Sequence, residues 1–147
     1  MRWSPWHDRL HRRLQQQPEL LPAEQPLLLA VSGGQDSMAL LALLNDLVRL
    51  HQWPLQAWHG DHGWHPGSAR IAEKLQQWCC DQAISLQIER APADLAANEA
   101  SARHWRYDRL RVAAQQRQAD VVTGHTGSDR SETVVLQLAR GTDLAGL

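Results

Sequence analysis

The sequence predicts an α/β fold: a parallel, twisted sheet with helices on both faces. Three observations carry this. Short apolar runs alternate with longer stretches of helical period. The links between them are short. A pair of glycines closes the first apolar run immediately before the first helical stretch that follows it. With 147 residues the chain has the size of one domain, able to bury very roughly two thirds of its unfolded surface. Residues 1–26 are expected to form an N-terminal helix and linker, and residues 27–147 the domain proper.

The elements follow in order. A polar helix is expected over about residues 5–17, ended by the linker between Pro18 and Pro26. Leu27-Leu28-Leu29-Ala30-Val31 is short and wholly apolar, which reads as a buried strand. The apolar residues that follow over about 36–51 have helical spacing. A second strand is expected over 55–60 and a helix over 68–82. A third strand spans 84–88, where Ser85 and Gln87 alternate with apolar neighbours. A helix over 98–118, a strand over 120–124 and a last helix from about 128 to 139 complete the pattern. In such sheets ligands bind beyond the carboxyl ends of the strands. The segments after strands one, two and four should therefore converge on one edge.

Charge is nearly balanced at −1, and fourteen of the fifteen basic residues are arginine, Lys74 being the single lysine. Cys79 and Cys80 are adjacent in an expected helix, which argues against a disulfide between them and against a Cys-x-x-Cys metal site. The first residues lack the apolar core of a signal peptide, and no stretch approaches transmembrane length. A soluble, cytoplasmic protein with no membrane partner is expected. There is no internal repeat or low-complexity segment.

Ser32-Gly33-Gly34-Gln35-Asp36-Ser37 joins the first strand to its helix. Glycines let the backbone turn tightly and approach a ligand. Backbone N–H groups at a helix start favour an anion. The common phosphate loop also needs a lysine after its last glycine, and here there is none. Asp36 stands in its place, which suits a Mg²⁺ ion between carboxylate and phosphate. Ser-Gly-Gly-x-Asp-Ser after a strand resembles the pyrophosphatase loop (PP-loop) of enzymes that cleave ATP between its α and β phosphates.

Three further segments stand out. His59-Gly60-Asp61-His62-Gly63-Trp64-His65 could hold a metal or be a surface loop with incidental histidines, since no spacing in it is diagnostic. Arg103, Arg106 and Arg109 recur every three residues near one helix face; alone, such a run reads equally as a solvated face. His125, Asp129 and Glu132 follow strand four. There Ser128 or Asp129 could cap a helix, with Glu132 assisting, and a functional role is compatible with that.

Taken together, Ser-Gly-Gly-x-Asp-Ser, Asp-His-Gly-x-x-Pro-x-Ser-Ala, Glu-x-x-x-Arg-x-x-Arg-Tyr-x-x-Leu and Gly-His-x-x-x-Asp-x-x-Glu-Thr-x-x-x-x-x-x-Arg-Gly-Thr resemble the tRNA(Ile)-lysidine synthetase family in order and spacing. The match runs from Leu27 to Leu147. The first motif specifies only the superfamily; the last two narrow it to this family and its tRNA-thiolating relatives. Those relatives generally carry Cys-x-x-Cys pairs, which this chain lacks. Ser128 departs from the acidic residue or asparagine usual before the aspartate at 129. Family members continue beyond Arg-Gly-Thr into further helices and tRNA-binding domains, so this chain is expected to be part of a longer protein.

The resemblance implies an adenine nucleotide α-hydrolase-like fold and a two-step reaction. ATP adenylates the C2 oxygen of the wobble cytidine of a tRNA(Ile) with a CAU anticodon. Free L-lysine then displaces AMP to leave lysidine. It implies ATP and Mg²⁺ as cofactors, with the phosphates on Ser32, Gly33, Gly34, Gln35 and Ser37 and Asp36 on the Mg²⁺ side. Arg103 and Arg106 serve phosphate or substrate, His125 the cytidine or its adenylate, and Asp129 the lysine. Glu132 has a supporting role, and no protein metal-ligand set is assigned. A homodimer stays open. Three other readings also stay open: a tRNA 2-thiolation enzyme on the same loop, an ATP-binding fragment inactive alone, and a metal-binding regulatory domain using His59, Asp61, His62 and His65.

Overall fold

In the computed structural model, residues 2–126 and 133–138 are described, and residues 125, 126 and 133–138 by backbone alone. Helix α1 covers Pro5–Gln16, with Ser4 as N-cap and proline in its first turn, where the missing N–H costs nothing. Strand β1, Leu27–Ala30, leads into helix α2, Gln35–His51. Strand β2, Leu55–Asp61, is followed by helix α3, Ser68–Asp81, and strand β3, Ser85–Arg90. Helix α4, Glu99–Arg117, opens on an Asn98 side chain that accepts a 2.8 Å bond from Ser101 N–H. Strands β4, Asp120–Thr126, and β5, Thr133–Leu138, close the sheet.

The sheet order is β3-β2-β1-β4-β5. The first four strands are parallel, with Leu27 level with Leu55 on one side and with Asp120 on the other. Side chains alternate across the sheet. Leu27, Leu29, Ala57 and Val122 join one core with Leu41, Leu44, Leu75 and Cys79 of α2 and α3. Leu28, Trp58 and Val121 join the other, beneath Leu110, Ala113 and Ala114 of α4. Helices thus cover both faces. Helix α1 docks on α2 through buried Leu14, a 2.8 Å His7–Asp46 contact and a 3.1 Å contact between the His11 and His51 rings.

One expected element differs. Residues 133–138 form a strand antiparallel to β4, Thr126 opposite Thr133 and Val121 opposite Leu138, where a helix over 128–139 was expected. Periodicity cannot separate helix from strand in so short an apolar run, and Thr133, Val134 and Val135 are all β-branched.

Candidate functional site

The chain leaves β1 toward β2 on one side and returns from β3 to β4 on the other. The crevice beyond the carboxyl ends of β1 and β4 is therefore the topological switch point. The Ser32–Ser37 turn sits there. Gly33 has φ +87°, and a Cβ on it would come within 2.6 Å of Ile71 Cγ2 on α3. Only glycine meets both demands.

The two serines brace this turn. Ser32 N–H donates to Ser37 Oγ at 3.2 Å, and Gly34 N–H donates to Ser32 Oγ at 3.2 Å. The Ser37 hydroxyl donates to the Gly34 carbonyl at 3.1 Å, and the two hydroxyls lie 3.2 Å apart. The two hydroxyls therefore hold the loop's shape, and Ser37 is buried. Gly33, Gly34, Gln35 and the Asp36 carboxylate are exposed. The first-turn N–H groups of α2 have no carbonyl four residues back to bond.

Strand β4 comes up against this turn. A Cβ on Gly124 would lie 3.7 Å from Asp36 O and from Ser37 Cα, and 3.3 Å from the Leu40 side chain. The backbone at 125 and 126 continues from there. The His125 side chain, Asp129 and Glu132 lie outside the described residues.

The arginine helix reaches the same edge on the opposite face. Gly60 of β2 lets α4 approach, since a Cβ there would meet Arg106 Cγ at 3.1 Å and the Trp58 ring at 2.7 Å. Arg106 is half-buried and lies 3.7 Å from Glu99. Arg103 is exposed and sits over the Tyr107 ring, 5.4 Å from its centroid. Arg109 has a different task. It binds Glu89 on β3 at 2.9 Å, Glu89 also accepts from Trp58 Nε1 at 2.9 Å, and this carboxylate raises the guanidinium's pKa. Arg117, near the end of α4, is half-buried. It donates to Gln56 at 2.6 Å and also to Gln87, fastening α4 to β2 and β3.

In the histidine-rich segment, His59 is buried, its Nδ1 bonded to the Val31 carbonyl at 2.8 Å. Asp61 accepts from Gly63 N–H at 2.9 Å, closing the loop on itself. His62 packs on Trp64 with ring centroids 4.6 Å apart. Among the described residues no three His, Cys, Asp or Glu side chains are placed to hold a metal. Cys79 and Cys80 are free thiols.

Gly60 and Gly124 escaped attention in the sequence, although an isolated glycine in a strand does signal close approach. Thr123 had no signal, and His62 stood out only as one histidine of the segment after strand two. Thr123 Oγ1 and His62 Nδ1 are buried without a partner among the described residues, near the carboxyl ends of β4 and β2.

The chain is 68% identical over 145 residues to a tRNA(Ile)-lysidine synthase of Parasynechococcus marenigrum, covering 99% of this chain and 43% of that protein. It is 46% identical to a tRNA(Ile)-lysidine synthase of Prochlorococcus marinus, covering 99% of this chain and 46% of that one. It thus spans less than half the length of these curated relatives. Among solved structures, the U34-tRNA thiolase NcsA of Methanococcus maripaludis, with its [4Fe-4S] cluster, superposes with a TM-score of 0.67 at 18% identity, over 81% of this chain and 45% of that one. This supports the fold alone. The family description of the PP-loop domain matches residues 7–147. With a glycine turn at the switch point of a parallel sheet and this match over nearly its whole length, the chain belongs to the PP-loop domain family.

Proposed function

We propose that the protein ligates lysine to C2 of the wobble cytidine of tRNA(Ile), using ATP and releasing AMP and pyrophosphate. The observation that carries the ATP-using step is the Ser32–Ser37 turn. It is a braced helix N-terminus at the sheet's switch point, with an exposed carboxylate where the common phosphate loop has lysine. Similarity to proteins named tRNA(Ile)-lysidine synthase supports tRNA(Ile) as substrate and lysidine as product.

The N–H groups at the start of α2 bind the ATP phosphates, and the bracing serines keep those donors aimed without rearrangement. A carboxylate donor exposed beside a phosphate cradle fits a divalent cation; Asp36 would hold Mg²⁺, which would neutralise phosphate charge. Arg106, anchored over Gly60, serves the phosphoryl group or the RNA, with Arg103 beside it. The cytidine C2 oxygen attacks the α-phosphorus and pyrophosphate leaves. The lysine amine then attacks C2 and AMP leaves. Asp129 binds or activates the lysine, His125 serves the base or its adenylate, and Glu132 supports them.

The test supplies ATP, lysine and unmodified tRNA(Ile) and measures AMP, pyrophosphate and lysine bound to RNA. All three should rise together, and only with that tRNA. Incorporation of sulfur in place of lysine would overturn the assignment, as would ATP hydrolysis indifferent to tRNA.

A further inference from the structure

Helix α1 bears a face that the reaction above does not use. Arg9, Arg12 and Arg13 stand on it against a single acid, Asp8, in a chain whose net charge is −1. All three arginines are exposed, and together with Pro5, Asp8 and Gln16 they line one shallow depression. Beside them Trp6 is 61% exposed, with the Arg9 guanidinium 5.1 Å from its ring centroid.

Helix electrostatics explain part of this. Asp8 near the start and Arg13 near the end complement the dipole, and Arg12 pairs with Asp8 at 2.7 Å. They do not explain a largely exposed tryptophan capped by an arginine. The opposite face already docks on α2 through Leu14, His7 and His11, so the outward face is unpartnered among the described residues. Clustered guanidinium groups beside an aromatic plate match a phosphodiester backbone, which offers closely spaced negative charge.

Position strengthens the match. His7 is level with Asp46 and His11 with His51, so α1 runs parallel to α2. Asp46 lies eleven residues beyond Gln35, about 16 Å along the helix from the phosphate-binding turn at 1.5 Å per residue. Arg9 lies roughly one half-turn further, about 20 Å from the turn. A double-helical RNA stem covers that distance in less than one helical turn.

We propose that the Arg9–Arg12–Arg13 face of α1, with Trp6, is an RNA-backbone docking site that grips the helical stem adjoining the nucleotide held at the carboxyl edge. The proposal rests on the reading of the protein as a tRNA-modifying enzyme. The contact is to phosphates, so it is indifferent to base sequence.

The experiment measures binding of a fluorescent tRNA(Ile) transcript, and of an unrelated tRNA, across a series of salt concentrations. Three proteins are compared: the unaltered chain, Arg9→Ala/Arg12→Ala/Arg13→Ala, and Arg9→Lys/Arg12→Lys/Arg13→Lys. The alanine variant should bind both RNAs at least tenfold more weakly, with a salt dependence shallower by about one unit of slope for each phosphate no longer neutralised. The lysine variant should keep most of the affinity and slope. ATP binding should be the same in all three. Equal RNA affinity and slope in the unaltered and alanine proteins would overturn the site, as would absence of RNA binding by the unaltered protein. Loss of binding to phosphatidylglycerol vesicles with RNA affinity intact would overturn it in favour of a membrane surface. The two proposals separate in this design. An alanine-sensitive RNA affinity without lysine transfer supports the docking face and counts against lysine ligation. Lysine transfer with alanine-insensitive affinity does the reverse.

Discussion

At the scale of single residues, the phosphate turn is held by steric exclusion and by committed hydrogen bonds. Gly33 combines φ +87° with 2.6 Å of clearance to Ile71 at its Cβ position. Gly33→Val should therefore abolish ATP binding, and it should cost about 1–3 kcal/mol of stability through backbone strain alone. Calorimetric titration with ATP and urea unfolding measure the two effects separately. Asp36 is exposed and, among the described residues, its side chain makes no hydrogen bond of this kind. Asp36→Ala should leave the urea midpoint nearly unchanged while weakening Mg-ATP binding, and unchanged affinity would remove Asp36 from the phosphate side. Among the arginines, Arg106→Ala should slow turnover about a hundredfold, the scale of losing a preorganised charge donor. Arg111 is the proper control: it is exposed on the same helix and pairs with Asp108 at 3.0 Å, three residues away. If Arg106→Ala and Arg111→Ala behave alike, Arg106 is merely part of the helix surface.

At the scale of elements, α1 and α2 meet through histidines, and their junction should respond to pH. Burial first, and then the neighbouring His11, lower the pKa of His51 below its ordinary 6.5. The folded state therefore holds that proton less tightly than the unfolded chain. The sign follows: His51 costs nothing above about pH 6.5, where it is neutral in both states, and stability falls as pH drops below that value. His51→Asn should flatten the fall in unfolding midpoint between pH 7.5 and 5.5, as read by thermal melts at both values. Helix ends offer a second test. Gln52 terminates α2 in the left-handed region at φ 57°, a conformation that glycine adopts without the Cβ penalty. Gln52→Gly should stabilise the protein by about 0.5–1 kcal/mol, measured as a higher urea midpoint.

At the scale of the whole molecule, the sheet order sets which segments can cooperate. Strands β1 and β4 are neighbours although 89 residues, 31–119, lie between them in the chain. Their pairing brings the turn after Val31 and the backbone of residues 124–126 to one crevice. The proposed division of labour puts the phosphates at the start of α2, and assigns the lysine to Asp129 and the base to His125. Asp129→Asn should raise the lysine requirement or block lysine transfer more than it slows AMP transfer to tRNA. The two half-reactions are read by lysine bound to RNA and by pyrophosphate release. Failed pyrophosphate release with normal lysine dependence would instead move Asp129 to the ATP side with Asp36.

The alternation of strand and helix, the boundaries of α1 to α4 to within about one residue, and the Ser32–Ser37 turn at a strand-to-helix junction were all legible in the sequence. Each rests on local chemistry: apolar period, proline and glycine placement, and the conformational range of two adjacent glycines. Local period could not decide residues 133–138, because strand pairing with β4 is a contact between segments. Nor could it sort the arginines of α4, which look alike in a three-residue step. Only packing shows that Arg109 is tied to Glu89, that Arg117 joins β2 and β3, and that Gly60 leaves the room through which Arg106 reaches the sheet's edge. The sequence determines what each segment can form by itself. The tertiary structure decides which side chains are consumed in holding segments together and which remain for a ligand, because that depends on neighbours distant in the chain.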